Sequence, residues 1–542
     1  MDHADGFIFG ALADEEARAS HVRALRAGVA HRRARAPRDP RPGEAVSVEL
    51  TAGPGCHSAD AWLEVEGEGR VPLEPAGVEW DTLVWGYVRT FRGTIGGRPA
   101  GAVVRYRLGV GETPADDGRV HAYAVDEHVS PAWSRDAIVY QVFVDRFFSG
   151  DEATWPGPGA EVAERYGGTL AGLAAKLDHV ADLGANALWL SPIFPSPSYH
   201  GYDATDLFGI EPRLGTLEDF DRLLAGAHAL GMRVLLDFVP NHWSREHPTF
   251  VEATRDRTSP YVDWYRFRRW PDSYESFFGV RNMPRINYAN AEARRHVLDA
   301  VRFWLDRGVD GFRVDYAVGP DDDFWADFRD ATSGAWTFGE VVEAPATQLS
   351  FEGLLDGCLD FGLLEALRAT FAHGAWDGRR FAAFLDAHEE YFPASFSRPS
   401  FLDNHDMNRF LWSAGGNAAR LRLAALCQFT LAGPPIVYYG TEAGLSQSED
   451  IRSARWGGDR HARLPMPWGD DQDAELRGFY RSLAELRRSL PDEPRRTLHA
   501  DADSFSYARG DVVVSFDLAR LGASVTRDGV PLLSDLQPVS AQ

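Results

Sequence analysis

Asp315, Glu340 and Asp406 each close a short apolar run with the character of a strand: Val309-Asp-Gly-Phe-Arg-Val-Asp315, Trp336-Thr-Phe-Gly-Glu340 and Ser400-Phe-Leu-Asp-Asn-His-Asp406. Acids at the C-terminal ends of successive strands, with helical patterns between them, are what a (β/α)8 barrel enzyme needs to build a site at one rim. A lone Asp in such a place is more often a helix cap or a solvated charge. Three together, each in a distinctive segment, reverse those odds, and the chemistry they suggest is cleavage of a glycosidic bond.

The elements that must position them follow from the pattern between about residues 131 and 490, where strand candidates alternate with amphipathic helices. The strands are Ile138 to Asp145, Ala185 to Leu190, Arg233 to Phe238, Gly311 to Asp315, Thr337 to Glu340, Gly357 to Phe361, Ser400 to Asp403 and Pro435 to Tyr439. Helical segments such as Leu170 to Leu183, Leu217 to Leu230 and Ala291 to Arg307 are each closed by a glycine. About fifty aromatic- and proline-rich residues follow the third strand, and a loop of that length in a compact domain is usually functional. Residues 241–290 are therefore expected to form an inserted B domain over the rim.

Ahead of this region, residues 1–130 read as an N-terminal helix from about Asp14, a basic, proline-rich linker over His31 to Gly43, and a β-sandwich of short alternating runs such as Val46-Ser-Val-Glu-Leu. Residues 491–542, with Asp511-Val-Val-Val-Ser-Phe516, read as a short C-terminal β domain. At 542 residues the chain is too long for one core.

The formal charge of -24 argues against nucleic acid and anionic membrane surfaces as partners, while a neutral substrate is compatible. Cys56, Cys358 and Cys427 are scattered and odd in number, giving neither a disulfide framework nor a metal-binding spacing. The first residues carry acids where a signal peptide would be basic, and no stretch approaches a membrane span of about 18 apolar residues. A cytoplasmic protein is expected. Asp321-Asp-Asp323 reads as a helix-starting acidic run rather than a cation site, and His242 with His247 lacks further zinc ligands.

Asp237-Phe-Val-Pro-Asn-His242, Gly311-Phe-Arg-Val-Asp315, Phe338-Gly-Glu340 and Phe401-Leu-Asp-Asn-His-Asp406 resemble, in order, the four signature regions of the alpha-amylase family of glycoside hydrolases (family 13). Gly184 to Phe194, His200-Gly-Tyr-Asp203 and Gly433 to Gly440 are similar to its supporting segments. The resemblance implies a retaining mechanism with Asp315 as nucleophile and Glu340 as acid/base. It makes Asp406 a binder of sugar hydroxyls, His242 and His405 hydroxyl-binding histidines, and Tyr202 an aromatic platform. Arg313, two residues before Asp315 on the same strand face, is placed to keep the nucleophile ionised. Glu340 needs a raised pKa. Arg409 is a candidate for an adjacent subsite, and Asp237 a structural partner of the arginine.

Met283-Pro-Arg-Ile-Asn287 is similar to the fifth region of the neopullulanase and cyclomaltodextrinase group. That implies maltooligosaccharides or cyclodextrins as substrates and admits a homodimer through the N-terminal domain. Two departures touch the leaving-group side: Tyr316-Ala-Val-Gly319 replaces the Asn-Glu pair that usually follows the nucleophile, and Val341-Val-Glu343 stands where an aromatic is common. The alternatives are a transglycosylase or isomerase of the same family, and a non-catalytic glucan-binding protein. Relatives often hold a structural calcium through an acid of the fifth region and the asparagine of the first. Here Arg285 takes the acid's place beside Asn241, so neither a metal nor a cofactor is expected.

Overall fold

The computed structural model describes residues 15–157, 160–453 and 457–533. Its centre is a curled parallel sheet of seven strands, in spatial order Gly357–Cys358, Trp336–Gly339, Gly311–Val314, Arg233–Phe238, Ala187–Leu190, Val139–Val142 and Ile436–Tyr438. The expected strand at Ser400 to Asp403 is present as backbone pairing rather than a full ladder. Cys358 N donates to Ser397 O (3.0 Å) on one edge, and Ser400 N donates to Pro434 O (2.8 Å) on the other. Residues 397–400 thus touch both edges of the curled sheet.

Helices Leu217–Ala229 and Ala291–Asp306 lie where their periodicity places them, while Leu170 to Leu183 is split at Lys176 into Leu170–Ala175 and Leu177–Asp182. The strands are mostly apolar, the charged or amide side chains being Arg233 at a strand start and Gln141, Asp237 and Arg313 toward the C-terminal ends, with the hydroxyl of Thr337 between; this is the near-continuous hydrophobic run a doubly covered parallel sheet requires. Val139, Ala187, Trp189, Leu235, Trp336 and Phe338 fill the concave side.

Residues 241–290 leave the sheet after Phe238 and build a unit from helix Pro248–Arg255 and the paired strands Phe267–Arg269 and Ser273–Tyr274. Aromatic packing holds this unit together. Trp243 Nε1 donates to the Tyr265 hydroxyl (2.7 Å), His247 stacks on Trp243 at 4.1 Å, and Tyr274 packs edge-on against Phe250 at 4.8 Å. Tyr274 therefore serves the unit's own packing.

Two five-stranded antiparallel sheets precede this region, sharing an apolar cluster that includes Val46, Val48, Leu50, Leu63, Phe91 and Tyr106. The alternation of Val46–Ala52 buries every second residue against that cluster. The helix expected from Asp14 spans Glu15–Ala27, Asp14 itself lying outside the described residues. The expected solvated linker over His31 to Gly43 is corrected: His31, Arg33 and Arg35 are buried, and Arg35–Ala36 pairs with Val46–Ala52. Arg33 Nε lies 2.7 Å from Asp322 Oδ1, with its guanidinium over the Phe351 ring. The acidic run at Asp321 to Asp323 starts helix Asp322–Ala331, yet it is no solvated face. Asp321 meets Arg119 (3.0 Å), Asp322 meets Arg33 and His121, and Asp323 meets Arg294.

Five antiparallel strands between Arg495 and Pro531 form a C-terminal sheet, whose Phe505 and Phe516 pack on Phe371. The three cysteines are free thiols. Among the described residues no helix is long and apolar enough to cross a membrane.

Candidate active site

Strand register brings the polar groups together. Asp237 pairs with Arg313, and Arg313 with Phe338, across three neighbouring strands; Val314 pairs with Gly339, so Asp315 and Glu340 come next, side by side, where the strands end. Backbone bonds fix this step: Asp315 N donates to Phe238 O and Glu340 N to Val314 O, both at 2.8 Å. Alternation along Gly311–Val314 keeps Arg313 on the concave side with Asp315.

Arg313 is fully buried and serves three carboxylates. Its Nη1 donates to Asp237 Oδ1 (2.7 Å) and Asp315 Oδ1 (3.0 Å), and its Nη2 forms an ion pair with Glu340 Oε1 at 2.9 Å, without the alignment of a hydrogen bond. Asp237 is fixed by further donors, Trp189 Nε1 (3.1 Å) and the Tyr202 hydroxyl (2.8 Å). It therefore works as a strut that aims the guanidinium. Tyr202 stacks almost parallel on His405, with ring centres 5.2 Å apart, and its hydroxyl contacts His405 Nε2. The other imidazole nitrogen, Nδ1, accepts from Gln141 Nε2 (2.8 Å).

The three acids divide electrostatically, two against one. Burial, then the neighbouring carboxylate of Asp406, pushes Glu340 above the usual carboxylate range against the pull of Arg313. Burial also pushes Asp315 up, helped by Glu340, with Arg313 opposing. Arg313, expected to keep Asp315 ionised, does pull in that direction but is outweighed by burial, and this one cation is shared three ways. Asp406 goes the other way. Burial would raise it, yet His405, Arg463 and Arg313 hold it well below the usual range. Its Oδ2 lies 2.9 Å from His405 Nε2, and its Oδ1 accepts from Arg463 Nη2 (2.9 Å).

His242 is buried and stacks on Phe277 at 4.5 Å, its Nδ1 is 3.0 Å from Asn241 Nδ2, and its Nε2 has no aligned hydrogen bond among the described residues. Burial lowers its pKa to about 3, so the ring is neutral. Phe277, Phe278 and Tyr316 form an aromatic group next to these residues. Tyr316 meets Phe277 at 5.0 Å and Phe278 at 5.2 Å, and the Tyr316 N–H donates to Glu340 Oε2 (3.1 Å). Phe278 is 56% exposed.

Arg409 is a correction. Its side chain is fully buried and donates to Ala462 O (3.0 Å) and Tyr439 O (2.9 Å), with its guanidinium near the rings of Tyr438 and Tyr439. It braces backbone behind the site rather than facing a sugar. The arginine that meets Asp406 is instead Arg463, which also donates to His405 O (2.6 Å) and the Tyr199 hydroxyl (2.8 Å). No motif or periodicity marks Arg463 in the sequence, because it reaches the site from a loop 57 residues after Asp406.

Residues 141–485 match the family model described as alpha amylase, catalytic domain. The chain is 41% identical over 374 residues to "Alpha-amylase 2" of Dictyoglomus thermophilum, covering 68% of this chain and 66% of that protein. It is 34% identical over 406 residues to "Neopullulanase 2" of Thermoactinomyces vulgaris, covering 70% and 68%. The matched stretch thus spans about two thirds of these relatives' length. Among solved structures, a cyclic alpha-maltosyl-(1→6)-maltose hydrolase from Arthrobacter globiformis in complex with maltose is similar. It has a TM-score of 0.67 at 30% identity, covering 73% of this chain and 100% of that one. A family model that covers most of the chain, and relatives above 30% identity, place this protein in the alpha-amylase family of glycoside hydrolases.

Proposed function

We propose that the chain is a retaining α-glucoside hydrolase of maltooligosaccharides or cyclodextrins, with Asp315 as nucleophile, Glu340 as acid/base and Asp406 as the hydroxyl-binding acid. The observation that carries this reading is the side-by-side placement of Asp315 and Glu340 on one buried guanidinium. Glu340, pushed up by burial, keeps the proton it must give to the departing oxygen. Positive charge develops on the sugar beside Asp315 as the sugar–oxygen bond breaks, which favours its ionised form when attack needs it. Asp406, held anionic, grips ring hydroxyls more firmly as that charge develops. Tyr202 offers its face and His242 its ring Nε2 to the same sugar, while His405, with both nitrogens engaged by Gln141, Tyr202 and Asp406, sets the position of the Asp406 carboxylate beside it.

The same proposal includes a complete (β/α)8 barrel closed by residues 397–400, residues 241–290 as its B domain, and the N-terminal sheets as a β-sandwich domain within residues 1–130. The barrel domain runs over 131–490 and the C-terminal domain over 491–542. Its residence is cytoplasmic. A homodimer through the N-terminal domain is part of it too, supported by the exposed rings of Trp80, Trp85 and Tyr87 on one hairpin, where Trp80 lies 5.0 Å from Tyr87. Sedimentation velocity is expected to show a dimer that Trp85→Ser weakens; a wild-type monomer at micromolar concentration removes that part.

Calcium fits poorly. Asn241 Oδ1 is buried without a hydrogen-bond partner among the described residues, but the neighbouring carbonyl of Gly319 accepts from Arg285 Nη2 (2.8 Å), a permanent cation that would repel a dication held there. Transfer to a sugar instead of water is the second reading, favoured by the aromatic group of Phe277, Phe278 and Tyr316, which joins Glu340 through the Tyr316 N–H.

Product analysis with maltotriose, β-cyclodextrin, pullulan and sucrose tests the reading. Expected are α-anomeric first products and a higher specificity constant for small glucans than for soluble starch. Early loss of starch viscosity with little reducing sugar released contradicts the substrate class, and β-anomeric products contradict the mechanism.

A further inference from the structure

The turn that follows Asp315 is held from outside the sheet that carries the acids. Tyr316 has a left-handed backbone (φ 41°), which a bulky aromatic residue adopts only when its surroundings impose it. The turn closes through Gly319 N donating to Tyr316 O (3.0 Å) and Ala317 N donating to Glu340 O (3.1 Å). Three successive carbonyls then each receive a guanidinium. Arg119 Nη2 donates to Val318 O (3.2 Å) and Pro320 O (3.0 Å), and Arg285 Nη2 donates to Gly319 O (2.8 Å). Arg285 belongs to the excursion over the rim, while Arg119 belongs to the N-terminal module. Gly319 itself lies so close to Asn241 that a Cβ there would come within 2.0 Å of Asn241 Oδ1.

Arg119 is itself anchored. Its Nε donates to Asp321 Oδ1 (3.0 Å), and it follows directly on a turn in which Asp116 receives the backbone N–H groups of His31 (3.1 Å) and Arg32 (2.8 Å). A continuous set of bonds therefore runs from the N-terminal module through Arg119 to the turn, and from the turn to the Tyr316 ring and to the N–H that meets Glu340.

We propose that Arg119 is a positioning residue for the acceptor side of the cleft: by holding the carbonyls of Val318 and Pro320 it fixes the left-handed turn at Tyr316, and so the wall against which the departing or accepting sugar rests. This rests on the assignment of Asp315 and Glu340 as nucleophile and acid/base.

Maltotriose and α-maltosyl fluoride separate this role from a plain structural latch. Both fill the donor side alike, but fluoride leaves as a single atom, without an acceptor-side sugar and with little need of a proton. Arg119→Ala is expected to lower kcat/KM for maltotriose roughly tenfold or more, chiefly through KM, while the fluoride stays within about threefold. The share of transfer products at high maltotriose falls as well, and Arg119→Lys, which keeps the charge but not the forked donors, recovers part of the loss. An equal loss on both substrates, or no loss on either, overturns the proposal. Should Arg119→Ala fail to fold, Asp321→Asn, which removes the carboxylate that orients the guanidinium, is measured with the same pair. A smaller loss selective for maltotriose supports the proposal, and a non-selective one overturns it. A wild-type enzyme that cleaves neither substrate, or an Asp315→Asn variant that cleaves both, fails the functional reading itself and takes this inference with it.

Discussion

At the residue scale the site is a contest over one guanidinium. Asp315→Asn is nearly isosteric, so the fold should persist while turnover falls by several orders of magnitude. Because burial pushes the Asp315 pKa upward, its folded value lies above its unfolded one. The stability this group contributes is then present in acid and lost as pH rises through the folded value. The amide substitution removes that loss, so a melting temperature at pH 7 equal to or above that of the wild type is expected by calorimetry. Near-normal hydrolysis by the folded variant excludes Asp315 as nucleophile. Glu340→Gln should cripple maltotriose cleavage but spare much of the activity on an activated aryl glucoside, and the alkaline limb of the pH profile, set by Glu340 losing its proton, should disappear for the activated substrate. Equal damage to both substrates in the glycosylation step rules out Glu340 as the acid. The three acids were legible because each ends an apolar run within a recognisable segment. Arg409 was misread because adjacency to Asp406 does not tell on which side of the chain a side chain leaves, and here it turns to backbone carbonyls.

At the element scale, strand register converts sequence order into contact: the Asp237–Arg313 pair needs only that two parallel strands align as they do. This much follows from apolar periodicity, and the strand and helix limits deviate from the pattern by a few residues. The inserted unit was legible from its length and aromatic content, but the duty of each ring was not. Tyr274 packs inward, Phe277 lies on His242, and Phe278 stands out beside Tyr316, a division that depends on tertiary contacts. The same unit delivers Arg285 to Gly319 O. Treatment with EDTA is accordingly expected to leave activity and melting temperature nearly unchanged. A large drop that calcium specifically restores contradicts the exclusion argued from Arg285.

At the scale of the whole molecule, the N-terminal module and the sheet region are joined by buried charge. His121 bridges Asp116 and Asp322 at 3.2 Å each, Arg33 pairs with Asp322, Arg105 with Asp327 (2.7 Å), and Arg329 with Asp126 (2.7 Å) and Asp39 (2.8 Å). The sequence hides this seam because its basic half resembles a linker and its acidic half a helix start, and nearly 300 residues separate Arg33 from Asp322. Asp322→Asn leaves Arg33 and His121 facing a neutral group in a buried place and should destabilise by about 3–5 kcal/mol, read by chemical denaturation. Burial opposes ionisation of Asp322 and Asp116, but Arg33 and His121 hold the first far below the usual range, and His121 with backbone N–H groups holds the second down to about 2. Their contribution is present above the ordinary Asp value near 3.8 and is lost as pH falls through the folded values. His121 is raised despite burial, by Asp116 and Asp322, so its contribution is present in acid and is lost as pH rises through its folded value. The seam is strongest between these limits, and protease cleavage near residue 130 should accelerate below about pH 4. A cleavage rate independent of pH contradicts the ionic account.

The seam also bears on how such proteins change over generations. A module joined to its neighbour by a flexible tether can be exchanged like a cassette, since each half keeps its own solvent-facing surface. Here a transplanted N-terminal module would have to bring cations matching Asp322 and Asp327 together with acids matching Arg329, all buried or half-buried. A replacement lacking any one of them leaves a stranded charge. The two halves are therefore expected to be inherited as a unit, and a chimera that joins this catalytic region to a foreign N-terminal module should fail to express in folded form unless its complementary charges travel with it.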